Sequence, residues 1–256
     1  MVNPNYAPGQ VRTGAAGAEI DVGLRDYMTK VYALMAGAMV LTGLVAYIFG
    51  TDLKAAMQGQ ETTLVPVSVL GAIFGSPLKW VVIFAPLVFV FAFSAMINRI
   101  SASTAQTLFW VFGALMGLSI SSIFAIYTGE SIARVFFITA IAFGGLSLYG
   151  YTTKRDLSGF GTFLIMGVIG LIVASIVNIF LESSALQWAI STLGVLIFAG
   201  LTAYDTQQIK NEYLGMRGMP GSEAYLEKGA VMGALRLYLD FINLFMFLLQ
   251  FLGNRE

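Results

Sequence analysis

Arg236, Asp240, Asn243 and Gln250 stand four, three and seven residues apart inside an otherwise apolar stretch, so a helix puts all four on one face. A charged side chain at membrane depth costs at least about 2–3 kcal/mol, and that face must therefore point away from lipid. The simplest chemistry is an (i, i+4) ion pair in which Arg236 and Asp240 satisfy each other. A second carboxylate changes the problem, because Asp205 closes the preceding apolar block in the phrase GLTAYDTQQIK. Two carboxylates in a poorly solvated place resist double ionisation and hold one proton between them. Such a pair can be a proton switch, a hard-cation site in which Asp205 and Asp240 contact Ca²⁺, or an acid/base pair. The last option has no further support: Asp205 is followed by Thr206 and Gln207 rather than glycine, and the chain is expected not to be an enzyme.

Whether the aspartates meet depends on depth. If Arg236 marks the interface as Lys210 does, both lie roughly 6–8 Å inside it and share a level. If the last helix enters at Lys228, Asp240 is about 18 Å deep and the two do not match. Arg99, which ends an earlier apolar block in SAMINRISASTAQ, either reaches the same level or serves as an interface anchor. Glu130, Lys154, Arg155, Asp156 and Glu182 fall in turns and are expected to be solvated.

Composition removes most competing chemistry. The 256 residues include no cysteine and no histidine, which excludes disulfides, thiolate and imidazole metal sites and the usual haem ligands. A pH response near neutrality must then come from perturbed carboxylates, and the metals left are hard cations such as Ca²⁺. Fourteen basic and fourteen acidic residues cancel, so no net field recruits nucleic acid.

The elements that must position these side chains are transmembrane helices. Hydrophobic residues make up 57% of the chain and charged residues 11%, with a mean hydropathy of +0.80. The apolar residues come in blocks long enough to cross a bilayer, near 31–50, 80–98, 107–127, 132–150, 160–181, 185–205 and 229–252. This predicts an all-α integral membrane protein, a seven-helix bundle with the last helix in polar company at its centre. Residues 1–26, with Pro4 and Pro8, are expected to form a flexible tail, and 27–256 the membrane domain. The segments 128–131 and 182–184 are tight turns that make hairpins of helices three and four and of five and six, whereas 206–228 reads as a solvent loop. Nine basic residues, among them Lys154, Arg155 and Lys210, fall on the N-terminal side against four on the other, which favours a cytoplasmic N-terminus and an external C-terminus.

Four phrases, SAMINRIS, FGGLSLYGYTTKRDLSGFG, GLTAYDTQQIK and LYLDFINLF, resemble the Bax inhibitor-1 family, also called the transmembrane Bax inhibitor motif family, in its bacterial branch; the likeness spans roughly residues 20–256. The resemblance implies a seven-helix bundle with the last helix central, in the bacterial inner membrane, and a pH-sensitive leak that passes Ca²⁺ without a cofactor. By motif, Asp205 and Asp240 would be the pH sensor and gate and Arg99 the arginine linked to them; the helical spacing adds Arg236 as a second gate-linked basic group and Asn243 as part of the supporting polar face. Lipid and Ca²⁺ are the implied partners. Other bacterial relatives are associated with modulating a membrane protease, which leaves a non-conducting regulator of such a protease, or of stress or cell-death machinery, as the alternative.

Overall fold

Of the six prolines only Pro86 falls within an apolar block, and the chain is accordingly helical nearly throughout. The computed structural model describes residues 13–219 and 221–255, with side chains from Val22 onward. The helices are α1 (Thr13–Met57), α2 (Val67–Phe74), α3 (Leu78–Met96), α4 (Ala102–Ile120), α5 (Ile123–Ile126), α6 (Gly129–Thr152), α7 (Ser158–Leu181), α8 (Ser184–Met216) and α9 (Ser222–Leu252). Among the described residues no strand forms, and seven helical segments are long and apolar enough to cross a membrane. Residues 13–26, expected in a flexible tail, are helical; Pro4, Pro8 and Arg12 lie outside the described residues.

α9 is the central helix. In its most apolar stretch 61% of residues are buried, against 11% in α3 and α7. It packs on α1, α4, α6 and α8, with Leu237, Tyr238, Leu244 and Leu249 fully enclosed. Phe91, Phe137, Ile141, Phe163 and Phe180 project outward from the surrounding helices, where a lipid-facing surface needs them. Between membrane helices apolar burial supplies little net drive, so close backbone approach matters. Gly150 of α6 lies so near Ala203 of α8 that a Cβ would overlap the Ala203 carbonyl.

Buried hydroxyls stitch the helices across the core. Thr206 Oγ1 donates to Thr202 O at 2.7 Å, so Ser147 Oγ donates to Thr206 Oγ1 at 2.9 Å and Tyr32 Oη to Ser147 Oγ at 2.5 Å. This chain links α1, α6 and α8.

Two expectations from the sequence need correction. The segment 206–228 is not a solvent loop: α8 continues to Met216, and only 217–221 connects it to α9. Its polar residues stay helical because they have partners inside the bundle. Gln207 Nε2 donates to Arg155 O at 2.8 Å, Gln207 Oε1 accepts from Leu157 N at 2.8 Å, and Thr206 and Ile209 are fully buried.

The connection between the first two spans is ordered. It carries α2, and Asp52 near the end of α1 accepts backbone N–H bonds from Thr63, Leu64 and Val65 at 2.9, 2.7 and 2.6 Å.

Helices three and four form no hairpin. α6 packs on α8 and α9 instead of alongside α4, because the chain breaks at Ser121–Ser122 and the short α5 carries it across α1. A cavity of about 840 Å³, lined by Ile120, Phe124, Ile132 and Phe136 among others, lies between them. The turn at 182–184 does produce the expected hairpin of α7 and α8.

Candidate functional site

α8 and α9 run antiparallel in a register set by paired side chains. Phe198 stacks on Phe247 with ring centroids 5.7 Å apart, and Gln187 Nε2 donates to Gln250 Oε1 at 2.9 Å. The same register brings Asp205 and Asp240 within hydrogen-bonding range of each other. Asp205 is half-buried and Asp240 is 4% exposed. The two pair although Asp205 stands roughly three turns before the end of α8 and Asp240 roughly five turns after the start of α9, so α9 begins about two turns beyond the level at which α8 ends.

Arg236 does not pair with Asp240. Its Nη1 donates to Glu212 Oε1 at 2.6 Å, across the α8–α9 contact. The positive charge nevertheless acts on both aspartates from one side, and Glu212 acts on Asp205 with the opposite sign. Asp240 Oδ2 is buried with no hydrogen-bond partner. Tyr27 of α1 adds a second buried oxygen without a partner; it lies in the field of Glu212 and Arg236, its ring against Tyr213 with centroids 4.9 Å apart. The group therefore holds three carboxyls, one guanidinium and one phenol, drawn from α1, α8 and α9.

Of the residues singled out by sequence, Asp205, Asp240 and Arg236 come together. Asn243 lies farther along the same face, half-buried, its Nδ2 donating to Leu239 O at 2.8 Å. Arg99 stands apart: it is exposed just beyond α3, its side chain without a hydrogen bond or ion pair among the described residues. It follows α3, which packs on α2 and α4. Glu130, expected in a turn but standing in the first turn of α6, is exposed, as are Lys154, Arg155, Asp156 and Glu182 in the connections. Sequence reasoning missed Glu212 and Tyr27. Glu212 had a legible signal, since Asp205, Ile209, Glu212 and Met216 keep helical spacing and continue one face of α8 past the apolar block. Tyr27 carried none, being one aromatic residue near the start of a long, largely apolar helix.

No group of three or more acidic side chains among the described residues converges to hold a metal ion. Two touching carboxyls beside an arginine form instead a titratable contact between two helices.

A seven-span, all-α membrane protein with an aspartate pair in the packing of its last two spans is what the fold and site define. Residues 24–256 match the family described as "Inhibitor of apoptosis-promoting Bax1", and the chain belongs to it, the Bax inhibitor-1 family that its motifs resemble. An uncharacterized protein of Caulobacter vibrioides is 49% identical over 260 residues, covering 99% of this chain and 98% of that one. The inner membrane protein YbhL of Escherichia coli K12 is 46% identical over 234 residues, covering 91% of this chain and 94% of the relative. A membrane protein of Streptococcus pyogenes serotype M1 is 34% identical over 240 residues, 92% of this chain and 96% of that one.

Proposed function

We propose that this chain is a pH-sensitive, Ca²⁺-permeable leak channel of the inner membrane, with a cytoplasmic N-terminus, gated by Asp205 and Asp240. The observation that carries the reading is the contact of these two carboxyls between α8 and the central helix α9, with Asp240 buried. Two carboxyls in contact need a proton between them, and while it is held the pair acts as a clasp on α9. Loss of that proton leaves two like charges. At about 4 Å and an effective dielectric of about 20 they repel by about 4 kcal/mol, enough to change the ratio of two packings about 10³-fold.

Arg236, engaged by Glu212, compensates this repulsion only in part. Ca²⁺ is the transported substrate, and Asp205 and Asp240 are its transient oxygen contacts. The reading assigns no catalytic step and no cofactor.

Reconstitution in liposomes with an enclosed Ca²⁺ dye tests it. Flux should rise with pH in the wild type, and Asp205→Asn and Asp240→Asn should each flatten that dependence. Unchanged flux and pH profile in both variants would refute the gate. The family's description as an inhibitor of apoptosis-promoting Bax1 favours a second reading in which the protein regulates a membrane protease or stress or cell-death machinery without conducting. That reading expects no flux above empty liposomes and a stable complex in detergent pull-downs.

A further inference from the structure

At the ends of α7, α8 and α9 remote from Asp205, uncharged polar side chains form a second group. Asn178 Nδ2 donates to Gln187 Oε1 at 3.1 Å, and Gln187 Nε2 donates to Gln250 Oε1 at 2.9 Å. With Ser175 and Asn243 these residues line a cleft of about 530 Å³ between α7 and α9, floored by α8. α7 packs on α8 but leaves α9 uncovered there, so the cleft opens sideways. Asn178 and Gln250 sit near the ends of their helices and mark the mouth, while Asn243 is roughly two turns deeper than Gln250. Its Nδ2 is engaged by Leu239 O, which leaves Oδ1 as the acceptor offered to the cleft.

Ile179, Ile190, Met246 and Phe247 complete the lining, and the amide groups left over from the Asn178–Gln187–Gln250 chain, with Asn243 Oδ1, would go unpaired against lipid tails at a cost of several kcal/mol each, so tails are poor occupants. At about 30 Å³ per molecule the cleft has room for on the order of ten waters. Its inner end is one helical turn from Asp240, roughly 4.5 Å along the axis.

We infer that this cleft is an aqueous vestibule that carries a hydrated divalent cation to within one turn of Asp240, so that the barrier to passage is confined to the Asp240–Asn243 turn. Amide oxygens suit a hard cation, and without a carboxylate the lining hands the ion on instead of trapping it. The inference deepens the leak reading and rests on it for the identity of the ion.

The chain contains no cysteine, so an introduced thiol is unique. Ser175→Cys, Asn243→Cys and Gln250→Cys, with the buried Leu244→Cys as reference, are reconstituted and exposed to a cationic, water-soluble thiol reagent, and the mass shift is followed over time. The vestibule requires all three lining positions to react at least tenfold faster than Leu244→Cys. If Gln250→Cys reacts but Asn243→Cys is as slow as the reference, the cleft is dry at depth and the inference fails. If Ser175→Cys reacts only with an uncharged, lipid-soluble maleimide, the cleft is filled by lipid and the inference fails. The leak is judged separately: a wild type without Ca²⁺ flux overturns conduction even if all three thiols react. With conduction present, Asn243→Leu should lower flux at least threefold while the pH of half-maximal flux stays where it is in the wild type. A variant that moves this pH instead puts Asn243 in the gate, not the vestibule, and overturns the assignment.

Discussion

Arg236 reaches across to Glu212 on the neighbouring helix, at 2.6 Å, rather than along its own helix to Asp240. The choice leaves Asp240 facing Asp205 without an ion pair of its own.

Glu212 and Arg236 should tune the gate in opposite directions. Removing the guanidinium in Arg236→Gln takes away a charge that favours the ionised pair, so opening should need a pH higher by about one unit. Glu212→Gln removes a like charge and frees Arg236 to face the aspartates, which should lower the midpoint. Ca²⁺ flux measured against pH decides; a shift of both variants in the same direction would show that Arg236 does not act on the pair as a charge.

Tyr238 and Thr42 should differ in what their loss costs. Thr42 Oγ1 donates to Gly113 O at 2.8 Å, so Tyr238 Oη must donate to Thr42 at 2.6 Å. Tyr238→Phe removes one bond and leaves Thr42 satisfied, at about 1 kcal/mol. Thr42→Val strands the Tyr238 hydroxyl in a fully buried place, at about 2 kcal/mol. Thermal unfolding in detergent should rank Thr42→Val below Tyr238→Phe, both below wild type.

Gly150→Ala should separate α6 from α8, because its Cβ would meet the Ala203 backbone and not a movable side chain. Overpacking of this kind costs about 1–3 kcal/mol. Gly144→Ala on the same helix meets nothing within 4 Å and should be neutral. The same unfolding assay compares them.

The positive-inside bias predicts an external C-terminus. Alkaline phosphatase fused after Glu256 should be active in cells, and the same enzyme fused at Arg217, in the α8–α9 connection, should be inactive. Activity at Arg217 would invert the orientation.

What the sequence determined by itself is what a short window of residues can carry. Span length and hydropathy are local, so seven crossings were legible, and the four-three-seven spacing from Arg236 to Gln250 fixed which face of α9 must avoid lipid. The motifs carried the family and named Asp205 and Asp240 together.

Tertiary structure decided everything that depends on which distant surface fills a given gap. Polar composition hid the continuation of α8 through Glu212, since helix there is maintained by partners on the α6–α7 connection and on α9. A tight turn at 128–131 did not fix the neighbour of α6, because the short α5 and the fit of Gly150 on Ala203 outweigh sequence adjacency. Arg99 and Arg236 were both candidates to meet the aspartates, and only the packing of α8 on α9 selects between them. A charge can be placed on a helix face from its spacing, but its partner is set by the register of two helices, and that register comes from the sum of many cross-helix contacts.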